Sequence, residues 1–189
     1  MTRWRKEIIH WIFVVLLIMV TLVISPFFNG KNSSEEAFRV AEAALYFGPS
    51  EIIEEIDYGT IKIYLARYKN WVTAHGTRRE LLQWYPEDTF SPLEIDENKA
   101  FSYSFGKTES LRKDQEIKRV FGYIRDPSIV KLQLVLMYED EIQHLAAEVK
   151  EGLFIFHWDQ KLSPYIPLKL LAFDYKGTLI YEEEIDQSR

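Results

Sequence analysis

Apolar residues run from Ile8 to Phe28 without a charge, apart from the titratable His10, after a basic start at Arg3, Arg5 and Lys6. The run is apolar all round, where a water-exposed helix would keep a polar stripe. Residues 8–28 at about 1.5 Å each give roughly 31 Å, enough to cross a hydrocarbon core of about 30 Å. Trp4 and Trp11 near one end and Phe27 and Phe28 at the other suit the interfaces. The pattern predicts a single-pass transmembrane helix over 8–28. It is read as a retained signal-anchor, because it outlasts the usual ~7–15-residue core of a cleaved signal and lacks an Ala-x-Ala end. Positive flanks stay in the cytoplasm. The expected organisation is therefore a cytoplasmic N-terminus at 1–7, a short linker at 29–33 and an extracytoplasmic domain at 34–189. The lipid bilayer is the expected partner of residues 8–28, and the cell membrane the expected location.

The period then changes twice. Ser33 followed by Glu36 fits a capping box, and Phe38, Ala41 and Leu45 recur at helical spacing until Gly48-Pro49. Ile61, Ile63 and Leu65 alternate with Lys62, Tyr64 and Ala66, a strand pattern. Asn70–Ala74 and Leu81–Tyr85 read as further strands, with Gly76 as a turn or bulge between them. Residues 86–98 hold two prolines and five carboxylates and read as a long loop. Ala100–Phe105 alternates again, and Glu109–Glu116 fits a loop or a short helix.

Five strands are expected in the last third: Ile129–Tyr138, His144–Val149, Leu153–Trp158, Leu168–Asp174 and Thr178–Glu184. Glu139-Asp140-Glu141, Lys150-Glu151-Gly152 and Tyr175-Lys176-Gly177 suit hairpin turns. Gln160–Pro167 reads as a loop crossing an edge. The expected fold class is α+β, mainly antiparallel β with one short N-terminal helix, preceded by the transmembrane helix.

Two segments carry a resemblance. The run from Phe121 to Pro127, ahead of an expected strand, and the ending from Leu171 to Glu182 resemble the C-terminal parts of small membrane-anchored or lipid-anchored hypothetical proteins of Gram-positive, spore-forming bacteria. The resemblance covers roughly residues 120–184. It implies an extracytoplasmic β-rich module and transfers no catalytic residue.

Composition narrows the chemistry. The formal net charge is −6, and only Arg3, Arg5, Lys6 and Glu7 precede the apolar run, so the remainder is more acidic than the whole. Such a domain suits no nucleic acid, whose phosphates demand clustered Lys and Arg. With no cysteine there is no disulfide, no thiol catalysis, no cysteine-ligated zinc and no lipidated N-terminal cysteine. No cofactor motif is present and no metal is expected.

The candidate sites are sparse, and each has a structural counterpart. His157 and Asp159 fall on one face of a strand, a possible acid–base pair, yet no nucleophile motif accompanies them. His75 and Arg78 lie in a stretch running from Trp71 to Arg79 that mixes an aromatic ring, an imidazole and two guanidiniums. Arg78 suits a carboxylate or phosphate, although Arg79 points to the opposite face unless a bulge at Gly76 turns both to one pocket, and Glu80 offers neutralisation. Trp84 leads into the acidic loop, where exposed aromatics would stack on sugars, while most such rings are core. Glu87, Asp88, Glu94, Asp96 and Glu97 lack the alternating spacing of a calcium loop.

The expected function is a membrane-anchored extracytoplasmic interaction or sensing module of the cell envelope, non-catalytic, with a membrane-proximal protein partner. The alternatives are an envelope hydrolase using His157 and Asp159 or the His75 region, and a cell-wall glycan binder using exposed aromatics.

Overall fold

The computed structural model describes residues 3–110, 114–147, 149–162 and 164–185, without the side chains at positions 3, 5, 6, 9 and 21–29. Two helices come first, α1 (Arg3–Asn29) and α2 (Ser34–Ala44), and the rest is antiparallel β structure. Residues 21–28 of the expected span lie outside the described side chains. Among the described residues no helix is long and apolar enough to cross a membrane. This finding overturns the transmembrane helix over 8–28, the single-pass topology and the extracytoplasmic placement at the cell membrane. It also corrects the fold class, which is mainly antiparallel β sheet with two helices.

Helix α2 starts as its cap residues dictate. Ser33 Oγ accepts the Glu36 N–H at 3.1 Å, while the Glu36 carboxylate reaches back to the Asn32 N–H at 3.1 Å rather than to that of Ser33. The helix ends at Ala44, earlier than Gly48-Pro49 suggests. Tyr46 takes φ 55°, and the N–H groups of Tyr46 and Phe47 close back onto the carbonyls of Ala43 and Glu42. That is a Schellman stop. Ala37, Phe38 and Ala41 form the buried face.

The first sheet runs β1 (Glu51–Asp57), β2 (Ile61–Tyr68), β3 (Trp71–Glu80) and β4 (Gln83–Pro86), with the two-residue β5 (Leu93–Glu94) beside β3. Strand β1 was not expected, because a register shift between Ile52 and Glu54 breaks its alternation. Gly76 is neither a turn nor a bulge, since β3 runs through it to Glu80 and the reversal falls at Leu81-Leu82.

The middle sheet is ordered β10 (Val149–Lys150), β11 (Leu153–Asp159), β7 (Glu116–Ile124) and β6 (Phe101–Glu109). The third is β13 (Leu179–Glu184), β12 (Ile166–Phe173), β8 (Lys131–Tyr138) and β9 (Glu141–Ala147). Residues 121–124, expected to precede a strand, are the end of β7. The expected strand His144–Val149 is divided between sheets: β9 pairs with β8, and β10 with β11. Of the ambiguous stretch 109–116, positions 111–113 lie outside the described residues.

The middle sheet is buried on both faces. Ile117, Phe121, Leu153 and Ile155 meet Ile61, Ile63, Leu65 and Val72 of the first sheet. Val120, Phe154, Phe156 and Trp158 meet Leu132, Leu134, Leu136 and Leu170 of the third. Behind the first sheet, Phe38 of α2 stacks on Tyr64 at 5.1 Å. The order of layers is helix, sheet, sheet, sheet. Each of these large side chains contributes about 1.5–3 kcal/mol on burial, so the two apolar interfaces hold the stack together. One edge of the middle layer, β6, has no neighbouring strand on its outer side among the described residues.

Candidate functional site

Strand β6 reads Phe-Ser-Tyr-Ser-Phe-Gly-Lys-Thr-Glu. Its register with β7 sets Gly106 opposite Arg119, and His157 of β11 flanks Arg119 on the other side. A Cβ at Gly106 would sit 2.6 Å from Arg119 Nε, so the glycine is what lets the guanidinium lie across β6. Arg119 is 2% exposed. It donates from Nε to the Ala74 carbonyl at 2.6 Å, from Nη1 to Thr108 Oγ1 at 2.8 Å and from Nη2 to Glu87 Oε1 at 2.5 Å. Thr108 in turn donates to Glu87 Oε2 at 2.5 Å, and the Glu87 N–H reaches the Gly76 carbonyl. A Cβ at Gly76 would run into Thr108 Oγ1. Both glycines thus stand where a side chain would collide with the groups gathered around this charge.

Charge balance explains why this burial is tolerated. Burial pushes the Glu87 carboxyl up, but the Arg119 charge, with His75 and Thr108, outweighs it and holds the group below the usual carboxylate range. A buried ion pair survives only when its remaining valences are met, and here Ala74 and Thr108 meet those of Arg119. His75 is 1% exposed, with Nδ1 3.1 Å from Glu87 Oε1 but outside hydrogen-bonding alignment. Its Nε2 has no hydrogen-bond partner among the described residues. The ring packs against Phe90 at 4.7 Å and Phe38 at 6.0 Å. The cluster ties residue 87, and with it the loop that follows β4, to both the first and the middle sheet.

That loop walls an open groove. A cavity of about 460 Å³ lies beside Arg78, Asp88, Lys107 and Arg119. A second, of about 620 Å³, lies over Phe101, Tyr103 and Phe105, between the loop carboxylates Glu94 and Asp96 and the C-terminal Glu183 and Glu184 of β13. Ser91 and Phe105 line both. Together the cavities follow the outer edge of β6 from Phe101 to Glu109. Phe105 is 39% exposed between them.

The residues singled out from the sequence are not gathered in one place. Arg78 lines the first cavity, bound to Asp88 at 3.2 and 3.3 Å and to Glu80 at 3.2 Å. Burial would lower its pKa, yet these carboxylates raise it overall. Arg79 faces outward, as alternation requires. His75 sits behind Glu87. Trp84 is 8% exposed and pairs through its backbone with Lys31, so it is no sugar platform. His157 belongs to another cluster, where its Nδ1 lies 2.5 Å from the Tyr58 hydroxyl. Burial lowers the His157 pKa more than Glu54 raises it, and burial with Asp159 pushes Tyr58 up to about 12. Asp159 Oδ1 accepts the Lys161 N–H at 2.9 Å. Among the described residues no three His, Asp or Glu side chains converge to hold a metal ion.

Arg119 and Thr108 are absent from the sequence candidates, and Glu87 figures there only as a carboxylate of the acidic loop. Their signal was indirect: Gly76 and Gly106 stand inside strands, which marks close approach by another group. No family model, curated protein or solved structure matches the chain.

Proposed function

We propose that this protein is a non-catalytic binding module whose ligand seat is the groove along the free edge of β6. The observation that carries the reading is the continuity of the two cavities over all nine residues of β6. Binding sites favour concave surfaces with a few fixed polar groups among apolar ones. The Arg119–Glu87–Thr108 cluster makes one wall rigid, and Phe101, Tyr103 and Phe105 supply the apolar component. The hydrolase reading has less support. Its best pair, His157 and Asp159, lies on β11, two strands from the groove, with His157 Nδ1 engaged by Tyr58.

Ser91 is exposed and lines both cavities, so Ser91→Trp should obstruct the groove without touching the core. Fractions of peptide, glycan and small metabolite are mixed with the full chain, and thermal melting is followed. A ligand should raise the melting temperature of the wild type, leave that of Ser91→Trp unmoved and be recovered chemically unchanged. Turnover of the ligand, or an equal shift in the variant, defeats the proposal.

A further inference from the structure

Resting on that reading of the groove, we infer that its occupant is an extended basic peptide segment that pairs with β6 as an added strand. The backbone geometry points first to a strand. The Ser110 N–H donates to Gln115 and the Arg125 N–H donates to the Ala100 carbonyl, bracketing the β6–β7 ladder at both ends. Antiparallel pairs alternate between bonded and non-bonded positions. The even-numbered residues of β6 therefore bond to β7, and the odd-numbered ones turn their N–H and C=O groups to the groove. For Phe105 and Lys107 these groups find no partner among the described residues. Nine residues at about 3.4 Å offer an edge of roughly 30 Å. An added strand would complete the ladder, with backbone bonds supplying affinity and side-chain cavities supplying selectivity.

Charge selects the kind of peptide. Seven carboxylates line the two cavities against four cations. Glu87 is neutralised by Arg119 and Asp88 by Arg78. The excess is concentrated in the second cavity, where Glu94, Asp96, Glu183 and Glu184 stand against Lys99. Alternate side chains of a strand on β6 would point towards these two walls. Lysine or arginine there places its ammonium or guanidinium among the carboxylates, and its aliphatic stem along Phe101 and Phe105. An acidic segment would meet repulsion at the same positions.

The probe is a nonapeptide alternating lysine with valine or threonine, titrated into the full chain at low and at physiological salt. Binding should slow hydrogen exchange at the Phe105 and Lys107 amides, and exchanging lysine for glutamate should abolish it. Methylating alternate backbone nitrogens of the peptide removes several of its hydrogen bonds to β6, so affinity should fall at least roughly tenfold.

Lys107 separates charge from backbone pairing. Lys107→Gln removes a cation from the groove and should tighten binding. Lys107→Pro removes the same cation together with an outward N–H that β7 does not use, and should weaken binding; circular dichroism and melting confirm that it folds. Equal affinity for the methylated peptide, equal protection of both amides by spermine, or tighter binding by Lys107→Pro each overturns strand addition. So does self-association of the chain that protects the same amides without peptide. If Ser91→Trp leaves the peptide affinity unchanged, the groove reading itself falls as well.

Discussion

The guanidinium of Arg119 lies over Gly106, 2.6 Å from where a Cβ would stand, and only the missing side chain gives it that path. The relationship links a middle-sheet strand to Ala74 in the first sheet and Glu87 in the loop. Gly106→Ala should therefore force Arg119 off its partners and cost about 1–3 kcal/mol, the usual range for overpacking. Urea unfolding checks this, and a loss under about 0.5 kcal/mol would mean that Arg119 reaches its partners by another route.

Breaking the buried pair from one side should cost more than removing both partners. Arg119→Met leaves Glu87 charged and uncompensated, at about 3–5 kcal/mol, whereas Arg119→Met with Glu87→Leu should recover much of that loss. The pH dependence follows from the lowered Glu87 pKa. The folded group binds its proton less readily than the unfolded one, whose value is near 4.5. Its stabilisation is complete above that pH and is lost as the pH falls through the folded value. Glu87→Gln should flatten stability against pH below about 4.5. An unchanged acid slope in that variant would assign the acid sensitivity elsewhere.

Tyr58 and His157 should act at the two opposite ends of the pH range. The folded His157 pKa lies below 6.5, so its contribution is present above that pH and declines as the pH falls below it. The Tyr58 pKa is raised from 10.0 to about 12, so its contribution is present below pH 10 and is lost as the pH rises towards 12. Tyr58→Phe should cost about 0.5–1.5 kcal/mol near neutrality and flatten the alkaline limb. His157→Gln should flatten the slope below about pH 6.5. Melting temperatures across both windows test this. Retention of both slopes in the variants would show that the hydroxyl–imidazole contact carries no linkage.

Much of the local structure could be read without coordinates. Ser33 caps α2, and Glu139–Glu141, Lys150–Gly152 and Tyr175–Gly177 connect neighbouring antiparallel strands. Arg78 and Arg79 face opposite ways. Strand β7 was hidden because it is covered on both faces and carries Lys118 and Arg119, so it shows neither clean alternation nor an unbroken apolar run. Strand β1 was hidden by its register shift. The long apolar run of α1 suggested a membrane crossing that the described helix does not support.

What the sequence by itself determined is what neighbours along the chain decide: caps, hairpin turns and the faces of short alternating strands. These depend on side chains a few residues apart and on backbone sterics. What only the tertiary structure decided is the order of the sheets, the open edge at β6 and the partners of Arg119. That side chain meets Ala74 across 45 positions and Glu87 across 32. Any acidic loop could have neutralised it. The choice of Glu87 follows from two sheets packing close enough, at Gly76 and Gly106, that a buried cation must find its carboxylate there.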